Sequence, residues 1–229
     1  EMARLRVLRA LDRPTPDAPD PLTLEPVTER GSRYIDFLFP GLIGMNLMGT
    51  GMWGIGFAIA DIRRRKLMKR MLVTPMRKSS FFLSFILSRL SFLVMELTIL
   101  GLFGLFVLGV PFRTNPVSFL LICVMGAVAF AGLGLLTASR TRTIEGVSGL
   151  MNVIMMPMWL ASGVFFSYER FPEFLHPFLR LLPLTAINDA LRAVMLDGEG
   201  LHRQGPELLV LMGWMVVTFL VALRIFRWE

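Results

Sequence analysis

Apolar positions along this chain fall into five long runs, at about residues 37–60, 82–110 (or from 85), 117–138, 146–166 and 208–225. Short stretches rich in charge or proline separate them. Each run is roughly 20 residues, about what an α-helix needs to cross a ~30 Å hydrocarbon core. In hydrocarbon every backbone N–H and C=O must be satisfied within the segment, which leaves helices as the reading. The pattern predicts an all-α polytopic membrane protein with five visible transmembrane helices.

Two connectors break the simple alternation. Residues 168–205 contain PEFLHPFLRLLPLTAINDALRAVML, which reads as two short amphipathic helices separated by Pro183. It is too apolar for a solvated loop, and each piece is too short to span. An external re-entrant or interfacial helical hairpin fits. Residues 61–78, DIRRRKLMKRMLVTPMRK, carry eight basic residues against the single acid Asp61. On a helical wheel Leu67, Met68, Met71 and Leu72 share one sector, opposite Arg63, Arg65, Lys66, Lys69 and Arg70. Arg64 and Ile62 blur the two stripes, and Pro75 should end the helix. From its charge this short helix either lies on anionic headgroups or docks a cytoplasmic partner.

Composition agrees with the pattern. Of 229 residues 54% are hydrophobic and 18% charged, where a soluble domain would have about a quarter charged. The net charge of +7 would suit nucleic acid if it were spread. It is concentrated in 61–78, whereas residues 1–34 hold six basic and six acidic residues, so no nucleic-acid partner is expected. The positive-inside rule places 61–78, 139–145 and the C-terminus in the cytoplasm, with 111–116, 168–207 and the N-terminal segment outside. Cys123 stands alone inside an apolar run, so no intrachain disulfide can form.

Candidate chemistry is sparse. The first run is dense in glycine (Gly41, Gly44, Gly49, Gly51, Gly54, Gly56), which favours a close helix–helix seam within the subunit or between copies. Asn46 in the same run either bonds a neighbouring helix or meets substrate. Arg89 and Glu96 lie seven apart in the second run, on roughly one helix face and about 10 Å apart along the axis. Ions at that depth face protein or water: this pair is either structural or part of a translocation path. An ion-gradient-driven carrier or channel using Glu96 and Arg89 is the alternative to an ATP-driven transporter. Nucleotide-binding, zinc-protease and serine-hydrolase motifs are all missing, so no catalytic or metal site is expected.

Met156 to Leu196 make the sequence specific. It has Pro157 inside a span, Gly163 followed by Phe165, Phe166 and Ser167, then Pro172, then Leu182, Pro183, Leu184 and Thr185 ahead of a helix ending in Leu191 and Arg192. This resembles the signature of ABC-2 type transporter permeases, and Phe39–Pro40–Gly41 and Met71–Leu72–Val73–Thr74–Pro75 resemble further family positions. The resemblance implies a six-span permease subunit in the bacterial inner membrane, paired with a second permease as a homo- or heterodimer. It also implies a separate cytoplasmic ATPase that binds ATP and Mg, with no cofactor on this chain, and export of lipids, glycans, drugs or similar amphiphiles. By the same resemblance residues 62–72 would be the coupling helix that docks the ATPase. Because the chain opens on Glu1, it is expected to lack the family's first span. Residues 1–34 would then be the extracytoplasmic tail of the missing part, and 35–229 the transmembrane domain.

Overall fold

The structure, a computed structural model, describes residues 33–67, 78–110, 116–139, 141, 143–165 and 171–225. Among them the chain forms helices and no strands. The five spans are α1 (Tyr34–Arg64), α2 (Lys78–Phe103), α3 (Pro116–Ala138), α4 (Ile144–Ala161) and, after the hairpin, the last helix (Gly205–Ile225). All five are long and apolar enough to cross a membrane. Between α4 and the last span lie α5 (His176–Arg180) and α6 (Pro183–Met195), so the last span is α7.

Local chemistry explains the element ends. The Thr143 side chain accepts from Gly146 N at 3.1 Å and so caps α4, with Glu145 favourably placed in its first turn. Pro183 opens α6 at a position where no N–H is needed, and Leu182 before it is extended, as a residue preceding proline prefers. The α2 helix widens into a π-helical turn at Gly104–Leu108 and stops at Gly109, whose φ of 63° suits glycine. Nothing in the apolar pattern of 82–110 signals that turn. Both internal prolines, Pro40 in α1 and Pro157 in α4, sit within continuing helices.

The bundle is built around α3, whose sequence is rich in small residues. It packs most extensively on α1, then on α7, and also meets α6, α2 and α4. The α1 and α3 backbones touch where a Cβ added at Gly134 would lie 2.9 Å from Gly51 O and from Met52 Cα. Nearby, one added at Gly51 would lie 2.9 Å from the Cβ of Phe130. Lipid is as apolar as leucine, so this close packing, rather than a hydrophobic drive, holds the pair together. The seam expected of the glycine-rich first span therefore exists inside the subunit.

The hairpin has the two expected helices, but the second does not rest on a surface. Leu184, Ile187, Leu191, Val194 and Met195 of α6 are buried against α1, α3 and α7. By contrast α2 leans on α3 and barely touches α1, which leaves a groove between α1 and α2.

Candidate functional site

Glycine and small polar residues on one face of α1 and the charged pair of α2 build that groove. It encloses about 660 Å3 and is walled by apolar side chains including Ile55, Phe85, Phe92, Met95 and Ile99. Its polar floor is Asn46, Thr50, Arg89 and Glu96. Residues 89 and 96 are nearly two helical turns apart, and both side chains lie along one face. Arg89 Nη1 meets Glu96 Oε2 at 2.7 Å, with the side chains only 9% and 16% exposed.

Thr50 of α1 ties this pair across the groove. Its hydroxyl accepts from Arg89 Nη2 and lies 2.8 Å from Asn46 O and 3.3 Å from Glu96 Oε1, either of which takes its one proton. The site is therefore charge-compensated: a single unpaired ion at this depth would be costly, while the closed pair is tolerated. Asn46 Oδ1 is buried and has no hydrogen-bond partner among the described residues. Arg89 meets Glu96 as their spacing suggested, and Asn46 lines the same groove, a meeting that the spacing did not imply. Thr50 was overlooked, although its place one turn after Asn46 put it on the same face.

A second polar cluster lies at the hairpin end. Arg192 of α6 donates to Gly163 O and, at 3.3 Å, to Phe37 O, and its guanidinium stacks 3.8 Å from the Phe37 ring centroid. Asp189 is 3.7 Å away. Arg192 is therefore turned inward and joins α1, α6 and the end of α4. Asn188 Nδ2 adds a bond to Ser162 O at 3.0 Å. Gly163 terminates α4 with φ of 70°, so this signature glycine serves the backbone turn. Pro172, Pro183, Leu184 and Thr185 frame the hairpin helices. Phe166 and Ser167 lie outside the described residues.

Of residues 62–72, only 62–67 are described. The helix of α1 does not end near residue 60 but runs through Ile62–Arg64, and the break comes at Arg65–Lys66, where Lys66 has φ of 57°. A helix separate from α1 can therefore begin no earlier than this break, whereas the expected segment began at Ile62. Met68, Lys69, Arg70, Met71 and Leu72 lie outside the described residues. Arg64 and Arg65 pair locally with Asp61 at 3.2 and 2.7 Å and are exposed. Arg63 behaves differently. Its guanidinium donates to Ala138 O (2.5 Å), Thr141 O (2.6 Å) and Ser139 O (2.8 Å). Those carbonyls close the C-terminal end of α3, where intrahelical donors run out and a cation is favoured. Charge-assisted bonds of this type are each worth about 1.5–3 kcal/mol.

The ABC-2 type transporter family profile matches residues 22–196. ABC transporter G family member 20 of Dictyostelium discoideum is 25% identical over 193 residues, 83% of this chain but 26% of its own length. The inner membrane transport permease YadH of Escherichia coli K12 is 24% identical over 203 residues, 87% of this chain and 75% of that protein. Nodulation protein J of Bradyrhizobium diazoefficiens is 24% identical over 200 residues, 86% of this chain and 75% of that protein. The chain thus spans about a quarter of the first relative and three quarters of the other two.

Proposed function

The chain belongs to the ABC-2 type transporter family, as a multi-pass membrane subunit of an ABC transport system, and on that footing we propose that it is the permease of an ATP-driven exporter in a bacterial inner membrane. The match over residues 22–196 carries this reading, because it takes in the basic stretch, four of the five spans and the hairpin together. ATP and Mg would be bound by a separate ATPase subunit, and a second permease would complete a homo- or heterodimer. The segment from Leu67 to Leu72 would dock the ATPase through Leu67, Met68, Met71 and Leu72. Residues 1–34 would lie outside the membrane and the C-terminus in the cytoplasm.

The groove between α1 and α2 supports an amphiphilic cargo. Its walls favour acyl or aromatic matter, and its compensated polar floor offers hydrogen bonds without a net charge. The hairpin, fastened by Arg192, would close the outer mouth. Glu96 and Arg89 could instead serve an ion-driven carrier, but their commitment to each other and to Thr50 supports a fixed polar tie over a titrating relay.

Purification of the tagged chain from its native membrane should bring down an ABC ATPase, and transport in vesicles should follow ATP and ignore collapse of the ion gradient. Leu67→Asp with Met71→Asp should abolish ATPase stimulation. Transport that tracks the gradient, or an ATPase stimulated normally by this variant, would overturn the reading or its docking segment respectively.

A further inference from the structure

Three of the four consecutive basic residues at the end of α1 behave as a solvated charge cluster would. Arg64 and Arg65 are exposed and reach back one turn to Asp61, and Lys66 forms the left-handed break. Among the described residues Arg63 alone of the four crosses to another helix, where it takes the carbonyls of Ala138, Ser139 and Thr141 around the end of α3. A planar guanidinium with several fixed donors suits that task, whereas an ammonium is a point charge.

We infer that Arg63 is a positioning residue, one that fastens the basic end of α1 to the C-terminal end of α3 rather than meeting a partner protein. The two helices already touch through backbone at Gly51 and Gly134. With their ends bracketed as well, they form one rigid pair from mid-span to the basic end. The chain breaks two residues after the bracket, at Arg65–Lys66, so a force that reaches the basic end of α1 from the ATPase acts on a fixed base. That force is then delivered onward to α2, which has little packing on α1 and is tied to it by Thr50. Without the bracket, the same force is lost in splaying α1 from α3.

This inference rests on the proposed ATP-driven export, and the test separates the two. The full chain is purified with its co-purifying ATPase, reconstituted, and assayed for complex stoichiometry, ATP hydrolysis and ATP-driven transport, as wild type, Arg63→Ala, Arg63→Lys and Arg64→Ala. We expect all four to hold the ATPase. Arg63→Ala and Arg63→Lys should both lose about tenfold in transport per ATP hydrolysed, the scale of a coupling free energy between sites, while Arg64→Ala stays near wild type. Arg63→Lys at wild-type coupling would show that charge suffices and would overturn the bracket, as would normal coupling in Arg63→Ala. Should the Arg63 variants not assemble, spin labels at Arg64→Cys and Thr141→Cys, with Arg63 intact, decide the matter. Their separation should hold constant through the nucleotide cycle, and a shift would overturn the rigid pair. A wild-type chain with no ATPase and no ATP-driven transport would instead count against the export reading.

Discussion

The two faces of α1 carry the same residue type to opposite ends. On one face Gly41, Gly44, Gly51 and Gly56 lie under other elements, and a Cβ at any of them would meet a neighbour within 3.0 Å. On the other, Gly49 and Gly54 have nothing within 4 Å and line open surface with Asn46, Thr50, Trp53 and Phe57. Removing a side chain brings backbones together in the first case and hollows a groove in the second. The close-packed face makes the bundle, and the open face offers a place for something that is not part of it. Small residues in a membrane helix therefore mark proximity only when another helix is there to use the space.

The sharpest way to break this contrast is Gly134→Leu. Its Cβ would sit against Gly51 and Met52 backbone atoms, which cannot swing aside as a side chain can. A loss of about 3 kcal/mol or more is expected, at the upper end for overpacking. It would be read as failure to recover monodisperse protein in detergent, and a normal melting temperature would dissolve the distinction between the faces.

Glu96→Gln tests the tie between α2 and the open face. Breaking a buried pair by removing one charge costs about 3–5 kcal/mol, and partial exposure here should bring the drop toward the lower value. Adding Arg89→Met, which removes the orphaned charge, should recover most of the melting temperature. If transport remains lost in that stable double variant, the pair serves the groove and not only the fold.

The smallest effect should come from Gly54→Ala. Its Cβ meets open space, and alanine is the better helix former by about 1 kcal/mol, so the melting temperature should hold or rise slightly. A fall would show that this face is covered by packing that the isolated chain does not reveal.

Much of this organisation was legible from residues alone. The five spans followed from run length, the hairpin from segments too apolar for water and too short to cross, and the meeting of Arg89 with Glu96 from their sevenfold spacing. Family resemblance rested on residues 156–196, and the family profile covers all of them. Other features were not legible. Spacing put Gly51 and Gly54 on adjacent faces without saying which one a neighbour would fill. Arg63, Arg64 and Arg65 are chemically identical in the sequence, and only the position of the α3 end distinguishes the first. Nothing in α6 alone tells that Arg192 reaches Phe37 and Gly163 rather than open surface, because one helix by itself has no inside.

The sequence by itself determined which segments are helices and which of them cross the membrane, since hydrocarbon imposes those choices on each segment independently. Only the tertiary structure decided the destinations: Arg63 on the α3 carbonyls, Arg192 on Phe37 and Gly163, Thr50 on the charged pair, and an unfilled groove on one face of α1. In lipid the helices gain little from hydrophobic burial against one another. Their arrangement is set by close backbone contact and a few polar bonds between residues far apart in the chain, and periodicity along a single helix carries no information about either.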